Sequence, residues 1–91
     1  MSRKRTMEAI EASEFVTVGE LVRLTGVRYS TLKYYTQEGI LSFLQPEENL
    51  TRRYRRVETL RRIEEIRELK SRGYSIPEIK DMLKIAEKQA G

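Results

Sequence analysis

The sequence predicts one small, mainly α-helical domain in which two short helices joined by a tight turn precede a two-stranded β-hairpin and two further helices. Two stretches carry a helix-capping pattern directly before an apolar stripe, and three of the four predicted helices end beside a glycine. A proline-containing segment poor in helix formers separates the first helix pair from the second. At 91 residues, the chain forms a single domain with a modest core.

The residue types that the chain lacks exclude several classes of function. It has no cysteine and no histidine, and Asp81 is its single aspartate. Disulfides, thiolate metal sites and most triad or general-base chemistry are therefore excluded, and we expect no enzyme, no metal and no cofactor. No apolar run approaches the roughly 18 residues of a membrane span. The basic start at residues 3–5 lacks the apolar stretch of a signal peptide, so we expect a cytoplasmic protein.

The first 15 residues are predicted to be an N-terminal extension of the domain. Residues 6–14 have helical composition, but the stretch is too short to form a stable helix unaided. Its apolar side chains Ile10 and Phe15 have no evident local partner. We therefore expect this extension to offer a surface for a second copy of the chain.

The domain proper is expected to begin at residue 16 with two helices and a tight turn. Thr17 and Glu20 match the capping box, which predicts a helix over residues 18–24 with Leu21 and Val22 inward. Gly26 then provides a turn of three residues before the next helix. Two helices joined by such a turn form a helix-turn-helix.

The second helix, over residues 28–38, carries two adjacent tyrosines. Neighbouring residues on a helix point about 100° apart, so Tyr34 and Tyr35 cannot both face the core. With Leu32 inward, Tyr35 lies about 60° from it and Tyr34 about 160° away. We therefore predict a core position for Tyr35 and an outward surface that contains Ser30, Lys33, Tyr34 and Gln37.

The segment after these helices is predicted to be a β-wing. The stretches "SFLQP" and "LTRRY" can form short strands on either side of a turn at "EENL", so the wing would carry arginines. The next helix has apolar residues spaced by three, which wrap around a helix packed on several sides; they are Val57, Leu60, Ile63, Ile66 and Leu69. A second capping box, Ser75 to Glu78, starts the last helix. The predicted boundaries are 17–39 for the helix-turn-helix, 40–56 for the wing, and 56–72 and 75–88 for the last two helices.

The positive charge of the chain is concentrated in one block. Residues 52–62, "RRYRRVETLRR", carry six arginines and one glutamate, a net of +5 against +4 for the whole chain. Such a block is typical of a surface that binds a polyanion. The alternative is the solvated face of an ordinary helix, although a face built for solubility normally mixes both signs.

The chain resembles the DNA-binding domain of the MerR (mercury-resistance regulator) family from about residue 16 to 84. The matching stretches are "VGELVRLTGV", "TLKYYTQEGIL", "RRY" and "RGYSIPEIKDML", in the order of the family. The resemblance implies a winged helix-turn-helix that binds double-stranded DNA with two-fold related half-sites and regulates transcription in a bacterium or phage. It also implies self-association on DNA, a location at the nucleoid and RNA polymerase as a candidate partner.

The resemblance assigns roles to several residues. Thr17 matches a polar residue that can turn backbone N–H groups toward a phosphate. Lys33 matches a basic position of the recognition helix, the phenol of Tyr34 can donate to phosphate, and Arg52 matches the wing arginine. Arg28 opens the recognition helix where a small capping residue is usual, and an arginine there can read guanine. The predicted DNA-binding residues are Thr17, Arg28, Tyr29, Ser30, Lys33, Tyr34, Gln37, Arg52, Arg53, Arg55 and Arg56.

Other features depart from the family pattern. Leu50 and Thr51 stand where the wing normally shows Gly-Tyr, and the long dimerisation helix and effector domain of the family are not found in these residues. We therefore expect a minimal regulator without an effector domain that is a monomer or weak dimer when free. For Tyr29, DNA contact and packing under the wing both remain open, and the last helix can serve the core or a dimer contact.

Two other functions fit the same sequence. A phage or plasmid DNA-architectural protein, of the excisionase or partition type, would use the same winged fold and bind repeated sites cooperatively. A protein-interaction module would use the basic segment to meet an acidic partner. DNA binding that persists at moderate salt would favour the DNA-architectural protein, and its loss would favour the protein-interaction module.

Overall fold

The computed structural model describes residues 5–45, 47 and 50–90, and the side chains up to residue 84. Its elements are α1 (Met7–Ala12), β1 (Phe15–Val16), α2 (Val18–Thr25), α3 (Tyr29–Gln37), β2 (Tyr54–Arg55), α4 (Arg56–Ser71) and α5 (Ile76–Ala90). The mainly helical fold class with a small antiparallel sheet is confirmed.

The helix-turn-helix forms from local signals. The Thr17 hydroxyl accepts from the Glu20 N–H at 3.2 Å, and the Glu20 carboxylate accepts from the Thr17 N–H at 2.9 Å, which confirms the predicted capping box. Gly26 ends α2 in the left-handed region at φ 74°, a conformation that favours glycine. The helices α2 and α3 therefore lie within one residue of their predicted bounds.

One hydrophobic core lies between the helices and the small sheet. Leu21 of α2 and Leu32 of α3 are fully buried in it, as are Ile63 and Ile66 of α4. Ile10 of α1 is also fully buried in this cluster. The expectation that Ile10 lacks a partner and is free for a second copy is therefore wrong, because α1 packs on the domain.

The small sheet joins the N-terminal segment to the base of the wing. β1 and β2 are antiparallel, with Phe15 opposite Arg55 and Val16 opposite Tyr54. Among its described residues, the wing hairpin contains one bridge, in which Leu44 and Arg53 exchange N–H to carbonyl hydrogen bonds of 2.7 and 2.9 Å. The second predicted wing strand thus takes most of its pairing from residues 15–16 and not from its hairpin partner. The sequence analysis did not predict this pairing of β1 with β2.

A backbone hydrogen bond joins the two ends of the predicted wing turn. The Leu50 N–H donates to the Glu47 carbonyl oxygen at 3.0 Å, the bond expected between the first and fourth residues of a β-turn. The amide of Gln45 donates to the Leu50 carbonyl oxygen at 2.7 Å. Pro46 and residues 48–49 of the predicted strand and turn lie outside the described residues.

The two C-terminal helices follow the predicted bounds with one error of orientation. Val57, one of the apolar residues expected to wrap around a helix packed on several sides, is 56% exposed, because it lies about 180° from buried Ile66 on the helical wheel. Thr59 takes a buried position on α4 instead. On α5, Ile79 and Leu83 are buried, and the apolar stripe that the sequence places on this helix continues to Ile85 and Ala86, whose side chains lie outside the described part. The Ser75–Glu78 capping box is confirmed by N–H donations of 3.0 and 3.4 Å.

Candidate nucleic-acid interface

The two tyrosines of α3 point to opposite sides of the helix. Tyr35 is 5% exposed and belongs to the core, whereas Tyr34 is 43% exposed. Leu32 and Thr36 share the buried face with Tyr35. The helical-wheel prediction is confirmed for both rings. The exposed residues on the outward side of α3 include Ser30, Lys33, Tyr34 and Gln37.

The start of α3 adds two exposed side chains to this outward surface. Arg28 is the N-cap residue, and its side chain makes no capping hydrogen bond. Tyr29 is 51% exposed, and the ammonium of Lys33 lies 5.5 Å from its ring centroid. The exposure of the Tyr29 ring favours the first of its two alternatives, contact with DNA, over packing under the wing.

The arginines of the wing lie over aromatic rings. The Arg52 guanidinium lies 4.6 Å from the Phe43 ring centroid, and that of Arg55 lies 5.7 Å from the Phe15 ring centroid. Cation–π contacts of this kind orient a guanidinium without consuming its N–H donors. Arg52, Arg53 and Arg55 are all exposed. Their guanidinium groups are therefore accessible to a ligand at the surface of the wing.

Arg56 differs from the other arginines of the block. Its Nε donates to the Ser13 carbonyl oxygen at 2.7 Å, and its backbone N–H donates to the Glu14 carbonyl oxygen at 2.9 Å. The side chain is partly buried and fastens the start of α4 to the end of α1. We therefore place Arg56 among the residues that hold the fold and leave it out of the proposed interface.

Thr17 lies at the N-terminus of α2 beside an ion pair. Its hydroxyl is used in the capping box, and the carboxylate of Glu20 receives two hydrogen bonds of 2.6 Å from the Arg5 guanidinium. The hydrogen bonds from Arg5 are the main cause that lowers the pKa of Glu20 below its usual value, and the same contact raises the pKa of Arg5. The Thr17 hydroxyl is thus occupied, and its backbone N–H is held by Glu20.

A buried hydrogen bond joins α3 to the base of the wing. The hydroxyls of Thr36 and Tyr54 lie 2.8 Å apart, and both side chains are buried. Because the Thr36 hydroxyl donates to the Leu32 carbonyl oxygen at 2.9 Å, it accepts from Tyr54. The ring of Tyr54 also contacts Phe43, with centroids 6.2 Å apart. Sequence reasoning missed this pair, because no local pattern relates positions 18 residues apart.

A family model described as the MerR HTH family regulatory protein matches residues 16–85 of the chain. The chain belongs to the MerR family. A curated relative, the HTH-type transcriptional activator SoxR homolog of Chromobacterium violaceum, is 38% identical over 64 residues, which cover 70% of this chain and 42% of the relative. The chain therefore spans less than half of the length of that relative. No solved structure is significantly similar to the chain.

Membership of the MerR family makes this a DNA-binding domain of transcription regulators, a kind of protein that is not generally an enzyme. The family match starts at Val16, so α1 and Arg5 lie before the matched segment. Among the described residues, none of the helices is both long and apolar enough to cross a bilayer. The same residues contain no cluster of three or more acidic, histidine or cysteine side chains that could hold a metal ion.

Arg5 is the residue of this MerR-family domain that the sequence reasoning missed most clearly. Its partners Ser13, Phe15 and Glu20 lie 8 to 15 positions away. The only signal in the sequence is that Arg5 belongs to a basic triplet at residues 3–5, which the sequence analysis considered only as a possible start of a signal peptide. A basic triplet by itself does not indicate which of its members makes an ion pair.

Proposed function

We propose that this MerR-family domain binds double-stranded DNA in a sequence-specific manner, with α3 in the major groove and the wing on the flanking backbone. The observation that carries the proposal is the combined surface of α3 and the wing. The outward face of α3 exposes Arg28, Tyr29, Lys33 and Tyr34, and the wing adds exposed arginines supported on aromatic rings. Helix-turn-helix domains read base edges with the first turns of the second helix and hold the backbone with neighbouring elements.

The residues divide into two roles by their place in the fold. Arg28 and Lys33, on the first turns of α3, would contact base edges, where arginine and lysine pair with guanine. Tyr29, Ser30, Tyr34 and Gln37 would contact bases or phosphates beside them. Arg52, Arg53 and Arg55 would contact phosphates, which position the protein but carry no sequence information. Thr17 would contribute through the backbone of the first turn of α2, since its hydroxyl is occupied.

We also propose that two copies occupy two-fold related half-sites and pair there. The burial of Ile10 supports a monomer or weak dimer in the absence of DNA, because it removes an N-terminal apolar contact that could have held a tight free dimer. RNA polymerase is a candidate second partner, and the nucleoid in the cytoplasm is the proposed location. Sedimentation of the 91-residue chain at micromolar concentration should show a monomer or weak dimer, while DNA with two half-sites should bind two copies cooperatively.

The direct test of DNA binding is selection of bound sites from random duplexes, followed by a salt titration on the selected site. If two copies neutralise roughly 6 to 10 phosphates, the affinity should fall by about 10³ to 10⁵ between 50 and 200 mM salt. Arg72→Ala is the matched control, because Arg72 forms an exposed ion pair with Glu68 at the end of α4. Binding that hardly changes with salt would contradict the proposal, and loss of all DNA binding at moderate salt would favour a protein-interaction module.

A further inference from the structure

The Arg5 side chain connects three parts of the chain at once. Its Nε and Nη2 donate to the two carboxylate oxygens of Glu20 at 2.6 Å each. Its Nη1 donates to the Ser13 hydroxyl at 2.6 Å, and its Nη2 also reaches the Phe15 carbonyl oxygen at 3.2 Å. The Arg23 guanidinium donates to the Arg5 carbonyl oxygen at 2.6 Å. One residue thereby joins α2 of the helix-turn-helix to β1.

The same N-terminal segment also contacts the base of the wing. β1 pairs with β2 at the base of the wing, and Arg56 at the start of α4 donates to the carbonyl oxygens of Ser13 and Glu14. We call residues 5–16 the N-terminal clasp. The wing hairpin has a single bridge of its own among the described residues, so most of the bonds that orient its second strand come from the clasp.

We propose that Arg5 is a positioning residue for DNA binding: through the N-terminal clasp it sets the placement of the wing relative to α3, so that both meet one duplex. This inference rests on the proposed function. A protein that contacts DNA at two places binds more tightly when the spacing of its two contact regions is already set, because less freedom is lost on association. A bidentate arginine–carboxylate pair is suited to this role, since it restricts direction as well as distance.

The ion pair also explains why Arg5 is not expected to act as one more phosphate contact. Both carboxylate oxygens of Glu20 are bound by its guanidinium, and its remaining terminal nitrogen is bound to Ser13. The pair is close to neutral, because a glutamate carboxylate is charged at neutral pH and the contact with Arg5 lowers the pKa of Glu20 further. Loss of Arg5 should therefore change geometry more than it changes the number of neutralised phosphates.

The first test is Arg5→Lys in the full chain, measured with the selected DNA site. Lysine keeps the charge but cannot form the two parallel hydrogen bonds of the guanidinium. We expect the affinity to fall by about tenfold, a usual size for coupled sites, while the slope of log affinity against log salt stays unchanged. Arg72→Lys is the matched control, because it alters an exposed arginine–glutamate pair on α4 and should leave the affinity unchanged.

The second test breaks the pair from the other side with Glu20→Gln. The variant removes one negative charge, so electrostatics alone predicts tighter binding to DNA. The glutamine oxygen can still accept from the Thr17 N–H, which preserves the start of α2. Weaker binding in spite of the added net positive charge would support positioning, and tighter binding would overturn it.

The third test combines Arg5→Lys with the double change Arg52→Ala and Arg53→Ala. If the clasp acts by placing the wing, Arg5→Lys should cost little once the wing contacts are gone. Additive losses would show that Arg5 acts independently of the wing contacts and would overturn the proposal. Loss of folding by circular dichroism in both Arg5→Lys and Glu20→Gln would also overturn it, by making the clasp a stability element. Failure of the unmodified chain to bind DNA would instead refute the proposed function.

Discussion

The helix-turn-helix and the wing are built in different ways, although both belong to the proposed DNA surface. The helix-turn-helix depends on contacts between near neighbours, such as the Thr17–Glu20 capping box and the left-handed Gly26. The described part of the wing has one bridge of its own and receives its other strand pairing from residues 15–16. Arg56 beside it donates to a carbonyl oxygen 43 positions earlier. One contact region is therefore encoded locally and the other by distant parts of the chain.

The arginines of the wing illustrate the same difference at the scale of single residues. Arg55 and Arg56 are neighbours, yet Arg55 is exposed above Phe15 and Arg56 is partly buried against Ser13. Residues next to each other at the junction of a strand and a helix point in different directions, so a run of like charges does not share one role. The position in the fold decides which arginine is available to a polyanion.

The largest expected effect tests the local region. Tyr35→Ala should lower the free energy of unfolding by about 3–5 kcal/mol, because it removes a buried aromatic ring. Tyr34→Ala, its matched control on the exposed face, should change it by no more than about 0.5 kcal/mol. Urea denaturation followed by circular dichroism measures both. Equal losses in the two variants would show that α3 is held by more than one face.

The next effect compares how the two regions read DNA. Arg28→Ala or Lys33→Ala should cost about 1–3 kcal/mol of binding free energy on the selected site and weaken the preference for it over random DNA. Arg52→Ala or Arg53→Ala should weaken binding to both DNAs by a similar factor, because phosphate contacts carry no sequence information. Competition titrations with selected and random duplexes measure the difference. A loss of preference in the wing variants would mean that the wing also reads bases.

A smaller effect tests the link between the regions. Tyr54→Phe should lower the free energy of unfolding by about 1 kcal/mol, because the buried Thr36 hydroxyl loses its donor. Tyr74→Phe is the control, since Tyr74 is among the exposed rings of the described chain and should tolerate the change. Thermal unfolding of the two variants side by side is sufficient. An unchanged midpoint for Tyr54→Phe would contradict a stabilising role for this hydrogen bond.

The smallest expected effect concerns pH. The folded state lowers the pKa of Glu20, so the stability from its ion pair is present above the usual carboxyl pKa and is lost as the pH falls through the lower, folded value. The stability difference between the unmodified chain and Glu20→Gln should therefore shrink from pH 6 to pH 3. Between pH 6 and 8 it should stay constant, because the chain has no histidine to titrate. Urea midpoints at each pH measure the difference, and a gap that widens in acid would reverse the assignment.

The locally encoded features were predictable from the sequence alone. The capping boxes at Thr17 and Ser75 and the opposite orientations of Tyr34 and Tyr35 follow from spacings of one to four residues, which a helix converts directly into geometry. The position of the wing turn also followed from local residue types. These patterns need no knowledge of what the rest of the chain does.

The missed features all depend on distant partners. The burial of Ile10, the pairing of β1 with β2 and the ion pair of Arg5 become visible only when α1 is placed against the domain. Val57 was misplaced for a related reason, since apolar residues spaced by three drift around the helix and only packing decides which of them remains outside. Whether the candidate site residues contact DNA is decided by the binding measurements above.

The hydrogen bond between Thr36 and Tyr54 has a consequence for protein engineering. It means that α3 is not a cassette that can be exchanged whole between relatives, because a transplanted helix with an aliphatic residue at position 36 would leave the buried phenol of Tyr54 without its acceptor. A library designed to change the preferred DNA site should keep Leu32, Tyr35 and Thr36 and vary only the outward side chains. Such a library changes the recognition surface while the hydrogen bond between Thr36 and Tyr54 at the base of the wing is kept.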